Sequence, residues 1–339
     1  MSLMRDVMAM LMPTIDTLSV QRWMLHASEA GTEMMVMGIS PAERRDGSMT
    51  EDRLRFETAE LFRHVTGELR SASPNGLGFA VEHEPWGIQR LHQLVPPYAR
   101  AEANQGFEAN SAGVALSATL LGINLFLGPV IEVSRGHHPH RFSRRLDVGL
   151  NEMGPIAASY IRGTQCAGVH AAVKYFPGST CAGVGGAAPS VDELSASGEW
   201  KPERLRPFLT AINAGVHAIV LGSDVIEELD PTHPASTSRR TVSLLRDDLN
   251  FDGLILSDEL ASASMRQHGD ISDTATAAIR AGVDLLWAPG GEQLSHIARG
   301  VAAAARADAT LRDSIARSAT RVRSSRARTS TDDPAITVR

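Results

Sequence analysis

In "GLILSDEL", residues 253–260, a run of small and apolar residues delivers a carboxylate, Asp258. A carboxylate placed that way can attack carbon as a nucleophile, act as a general base or stabilise a developing cation. The same pattern recurs along the chain. Glu82 and Glu84 follow "LGFAV", Glu132 and Arg135 follow "INLFLGPVI", Lys174 lies in "VHAAVKYF", and Asp224 ends "HAIVLGSD". Any one of these could cap the next helix or pair with a neighbour, and Asp258 could cap a helix starting near Leu260. A charge repeated at the end of so many apolar runs points instead to a shared polar pocket.

The elements that must position these groups are short apolar runs alternating with longer amphipathic segments. The runs are 33–39, 77–82, 123–133, 169–176, 217–225, 254–259 and 284–289, with 8–15 as an eighth. Most are apolar throughout, as expected of strands covered on both faces. Ser48 and Glu51 resemble a capping box opening a helix with Leu54, Leu61, Phe62, Val65 and Leu69 on one stripe. Segments 100–120, 146–163, 203–215, 241–250 and 272–282 also read as helices, several ending at glycine: Gly122, Gly168, Gly215 and Gly282. Repeated strand–helix units of this size in one chain predict a single-domain (β/α)8 TIM-type barrel over 1–321. The polar stretch 322–339 reads as a disordered tail. Neither GxGxxG after the first strand nor GxxxxGK[ST] is present, which removes the main evidence for a nucleotide fold.

A hydrophobic content of 43% in 339 residues supplies a large core, and a net charge of −6 argues against nucleic acid or anionic membranes as partners. Cys166 and Cys181 form no C-x-x-C pair, so neither a disulfide framework nor a zinc site is expected. Asp6, Pro13 and Asp16 interrupt the apolar N-terminus, and no run reaches the roughly 18 apolar residues of a membrane span. The expectation is a cytoplasmic protein with no cofactor and no metal, meeting small or neutral ligands.

Several linked motifs resemble glycoside hydrolase family 3, in particular its single-domain bacterial β-N-acetylhexosaminidases. "GLILSDELASASM", between "PASTSRRTVSLLRDDLNF" and "AAIRAGVDLLWAP", is similar to the nucleophile region of that family. "INLFLGPVIEV" with the later "HRFS", "VKYFPG" and "FAVEHEPWGIQRL" resemble three further motifs in the right order. The resemblance implies a (β/α)8 barrel and a retaining glycosidase acting on a small-molecule or oligosaccharide glycoside. Asp258 would form a glycosyl-enzyme intermediate. Glu82, Arg90, Arg141 and Lys174 would hold sugar hydroxyls, Glu82 standing where the family has an aspartate. Tyr175 occupies the place of a motif histidine.

The departures bear on the proton donor. After "VKYFPG" the family carries an Asp–His acid/base pair; here the loop reads "STCAGVGGAAP" and contains neither. Asp224 replaces a usual histidine, and "EPW" replaces Glu-Gly-Gly. Asp224, Glu84, or His137, His138 and His140 in "GHHPH" are the candidate substitutes, His138 and His140 being favoured among the histidines. A mere solvated loop is the plainer reading of that stretch. A family member without turnover that binds sugar or regulates, or an enzyme of transfer or elimination, remain alternatives at this stage.

Overall fold

A computed structural model of the chain describes residues 2–40, 42–43, 48–133, 146–178, 201–266 and 269–327. Eight strands lie where apolar runs were read: β1 Leu11–Ile15, β2 Met34–Met37, β3 Gly78–Val81, β4 Leu125–Val130, β5 His170–Phe176, β6 Ala218–Leu221, β7 Leu254–Leu256 and β8 Leu286–Ala288. Every neighbouring pair is parallel, in the order β7-β6-β5-β4-β3-β2-β1-β8. A parallel bridge between Leu256 and Leu285 brings the two ends of that order together, so the sheet curls into a barrel.

Side-chain alternation explains why the strands are apolar throughout. Val36, Ala80, Leu127, Ala172, Val220 and Leu256 pack with Trp287 inside the barrel. Met35, Met37, Phe79, Val81, Val173 and Ile219 point the other way, under the helices. With both faces buried, no polar position is left to mark the period of two. Trp287 is fully buried in the interior, and its indole N–H donates to Thr14 Oγ1 at 2.9 Å, so the one polar atom of the ring is satisfied.

The helices follow the expected segments: Gln105–Thr119, Leu150–Cys166, Arg206–Asn213, Arg239–Ser243 and Ile271–Ala281. Gly282 ends the last of these with φ of 110°, a left-handed turn that any side chain would strain.

Two expectations need correction. The segment after Ser48 is not one helix. Thr50 caps Glu51–Phe56, Thr58 caps Ala59–Ala72, and the break between them falls at Glu57. Leu54 is consequently exposed, off the stripe that buries Phe62, Val65 and Leu69. The final helix runs from Ala309 through Ala327, so residues 322–327, read from sequence as the start of a tail, are helical. Val322 packs into the barrel interior. Arg323 reaches Asp6 at 2.8 Å and Glu33 at 3.3 Å, and Arg326 reaches Glu33 at 2.7 Å. The arginines of this stretch thus neutralise a buried carboxylate rather than seek water. Residues 328–339 lie outside the described residues.

Candidate active site

The strand ends deliver Glu82, Glu84, Asp224 and Asp258, together with Lys174, to the C-terminal mouth of the barrel. Glu82 and Glu84 follow β3, two residues apart, and so share a face, while His83 between them turns into the helix layer. Lys174, near the end of β5, is fully buried and meets both: its Nζ lies 2.9 Å from Glu82 Oε1 and 2.9 Å from Glu84 Oε1. Room for the second carboxylate comes from glycine. A Cβ on Gly128 would fall 2.6 Å from Glu84 Cγ, and one on Gly87 would fall 2.7 Å from Glu84 Oε2. Trp86, in the departing "EPW", donates from its indole to Val130 O at 2.9 Å and fastens this turn to β4.

Asp258 lies directly beyond β7, half-buried, with its backbone held from both sides. Its N–H donates to Ser236 Oγ at 2.9 Å, and its carbonyl accepts from Ser257 Oγ at 2.8 Å. Ser257 Oγ in turn accepts from Trp287 N at 3.1 Å, and Leu260 N donates to Trp287 O at 2.9 Å, tying the loop to β8. The carboxylate accepts from Glu259 N at 2.8 Å and from the Ser223 hydroxyl. It does not cap a helix: the next one begins at Ala263, and Ser262 Oγ receives Met265 N at 3.3 Å. Burial pushes the Asp258 carboxyl above the ordinary aspartate range, and the neighbouring charge of Glu259 adds to the rise. The Ser223 hydroxyl, the Glu259 N–H and the charge of Lys174 offset part of it.

The remaining expected residues divide. Asp224 stands half-buried after β6, its carbonyl accepting from Ala235 N at 2.9 Å. Gly222, two residues earlier, packs close to Tyr175 Cβ, so the mouths of β5 and β6 adjoin there. Tyr175 is half-buried against the interior cluster, with Lys174 Nζ 5.4 Å from its ring centroid. Arg90 is buried and fastened elsewhere: Nε donates to Gly38 O at 2.7 Å, and Nη1 and Nη2 donate to the two oxygens of Glu57 at 2.6 and 3.0 Å. Burial brings its pKa down to about 10, against the opposing pull of Glu57. Arg90, expected to hold sugar hydroxyls, thus makes a bidentate pair with Glu57 that joins the segments after β2 and β3. His138, His140 and Arg141 lie outside the described residues, as does the loop from Ser179 to Pro189.

Sequence reasoning missed Glu57, which sits at a helix break hidden by the continuing apolar periodicity. It also missed the hydroxyls of Ser223, Ser236 and Ser257, which nothing in composition distinguishes from surface serines.

A parallel barrel with carboxylates gathered at the C-terminal strand ends is the architecture of a barrel enzyme. Residues 65–324 match the family described as glycosyl hydrolase family 3 N terminal domain, and the chain belongs to that family. It is a glycoside hydrolase. Curated relatives include a beta-hexosaminidase of Methylococcus capsulatus, 29% identical over 231 residues, spanning 66% of this chain and 69% of that one. A beta-hexosaminidase of Pseudomonas aeruginosa is likewise 29% identical over 231 residues, with the same 66% and 69% coverage. Among solved structures, a beta-N-acetylhexosaminidase from Beutenbergia cavernae superposes with a TM-score of 0.78 at 22% identity, covering 96% of this chain and 99% of that one. The comparisons give no support to the binding-only or transfer alternatives. Among the described residues no helix is long and apolar enough to cross a membrane, and no cluster of three metal-ligating side chains occurs.

Proposed function

We propose that the chain hydrolyses β-linked N-acetylhexosaminides by double displacement, with Asp258 as nucleophile. The observation that carries this reading is the pinned Asp258 carboxylate at the mouth of the barrel, in the field of Lys174. In the first step a carboxylate oxygen of Asp258 attacks the anomeric carbon. The bond from that carbon to the aglycone oxygen breaks, and the oxygen takes a proton. In the second step water attacks the glycosyl ester, gives up a proton, and releases the sugar and Asp258. Asp258 must be ionised to attack, so its raised pKa makes the rate fall as pH drops through that value.

Glu82 and Lys174 line the sugar side of the site, with Tyr175 beside them. Asp224, on the adjoining strand end, is the proton donor favoured among the described residues; His138 and His140 are the candidates beyond them. Arg90, which pairs with Glu57, and Arg141 are the further candidates for holding sugar hydroxyls. The beta-hexosaminidases it resembles support an N-acetylhexosaminide as substrate, either as a small glycoside or within an oligosaccharide.

A 2-deoxy-2-fluoro aryl glycoside tests the assignment. Peptide mass spectrometry is expected to place the added sugar on Asp258, with no labelling in Asp258→Asn. Sugar binding without labelling, and without aglycone release, would overturn it.

A further inference from the structure

At the N-terminal end of the barrel, opposite Asp258, lies a cavity of about 430 Å3 with a chemistry of its own. Three guanidinium groups, Arg246, Arg317 and Arg321, line it together with the hydroxyls of Ser243, Ser314 and Ser318. Two of the lining arginines are held by Asp284, fully buried just before β8, whose carboxylate is saturated. Asp284 accepts from Arg246 Nη2, from Arg321 Nη1 at 2.7 Å, from Ser318 Oγ at 3.1 Å and from Ile255 N at 2.9 Å.

The donors are not saturated. Arg321 spends only Nη1 on Asp284, and Arg317 spends only Nη2, on Ser314 Oγ at 3.1 Å. The Nε and the other terminal nitrogen of each have no acceptor among the described residues. The Ser314 oxygen accepts from Arg317, which leaves its proton to donate. Asp247 shares the lining, Asp284 pairs with Arg246 and Arg321, and Asp252 also acts on Arg246, so what distinguishes the site is its unspent guanidinium N–H groups rather than excess charge. The charge of Arg321 depresses the pKa of Arg246, after burial and against Asp284, as expected where cations crowd.

Paired N–H groups on arginine match the spacing of oxygens on a tetrahedral anion, and hydroxyls complete its shell. We propose that this cavity binds a phosphate group on Arg317 and Arg321, carried either as free phosphate or on a small metabolite. The volume leaves room for an organic part beyond the phosphate itself. The site borders the seam that closes the barrel, because Asp284 holds both arginines and the N–H of Ile255 in β7. Occupancy is therefore read as added stability of the closed barrel.

The test is thermal unfolding of the full chain in low-millimolar phosphate, against sodium chloride of equal ionic strength. Binding is expected to raise Tm by about 2 °C or more. Arg317→Gln should abolish the rise, since Arg317 is exposed and pairs with no carboxylate, and should leave the glycosidase rate unchanged. A hexose phosphate run in parallel distinguishes the sources: a larger rise than with inorganic phosphate points to a phosphorylated metabolite, an equal one to free phosphate. An equal rise in chloride, or a rise that survives in Arg317→Gln, overturns the proposal. Neither result bears on Asp258 at the other end of the barrel.

Discussion

The Ser236 hydroxyl accepts the N–H of Asp258 at 2.9 Å and donates to Gly222 O at 2.8 Å, bridging the ends of β7 and β6. Ser236 is fully buried, so neither bond is exchanged for water. Ser236→Ala would leave the Asp258 N–H unpaired, at a cost of about 1–3 kcal/mol, while the Gly222 carbonyl keeps the backbone N–H of residue 236 at 2.9 Å. The same change frees the carboxylate to drift, and displacements near 1 Å cost on the order of 10²-fold in rate. We expect kcat to fall by that order with KM little changed, measured on an aryl glycoside. Equal loss in a thermal melt but an intact kcat would make Ser236 structural only.

His83 gives a stability prediction with a definite sign. It is buried between Tyr98 and Phe126, its Nδ1 accepting from Leu91 N at 3.4 Å, and burial lowers its pKa to about 3. The unfolded chain takes up the proton near the ordinary value of 6.5, so below that pH unfolding is favoured by protonation. Stability from this group is fully present above pH 6.5 and falls by about 1.4 kcal/mol per unit as pH drops toward 3. Denaturant melts across that range should show a steep acid limb. In His83→Gln the limb should be shallower; an unchanged slope would show that other groups carry it.

Much of this molecule was legible before any coordinates, and the reason is local. A barrel strand buried on both faces is a short apolar run, and the polar residues at or just past its C-terminal end belong to the mouth; Asp258 follows β7 and Lys174 lies near the end of β5. What stayed hidden depends on contacts between distant segments. The pairing of Arg90 with Glu57, thirty-three positions away, is one such contact, and nothing in the sequence announces it. Residues 322–327 looked like a tail because polarity averages conceal one buried valine and two arginines aimed at Glu33. The helix break at Glu57 escaped notice for the same reason, since Leu54 keeps the periodicity but lies exposed, outside the core cluster.

Lys174 balances two carboxylates in a dry place, and its removal should be severe. Lys174→Met strands Glu82 and Glu84 together, at a cost of about 3–5 kcal/mol. Adding Glu84→Gln should recover part of that stability, because one negative charge is gone and its neighbour is relieved. A double-mutant cycle by urea melts should therefore give a coupling well beyond about 0.5 kcal/mol. Additive losses would mean that the 2.9 Å contact carries no net interaction.

The final helix should prove essential to the barrel rather than an appendage. Val322 closes the interior from below, and Arg323 and Arg326 supply the positive charge that buried Glu33 faces. Val322→Asp inserts an unpaired carboxylate among Leu254, Leu256 and Leu285, and should cost several kcal/mol. Val322→Ala removes two methyls and should cost about 1–3 kcal/mol, by comparison with other large-to-small core changes. Ending the chain at residue 321 removes both arginines as well and should cost more than Val322→Ala alone. Ending it at 327 keeps Val322 and the arginine contacts, and is expected to melt close to the full chain. If the two truncated forms melted alike, residues 322–327 would contribute nothing, and the packing of Val322 would have no energetic weight.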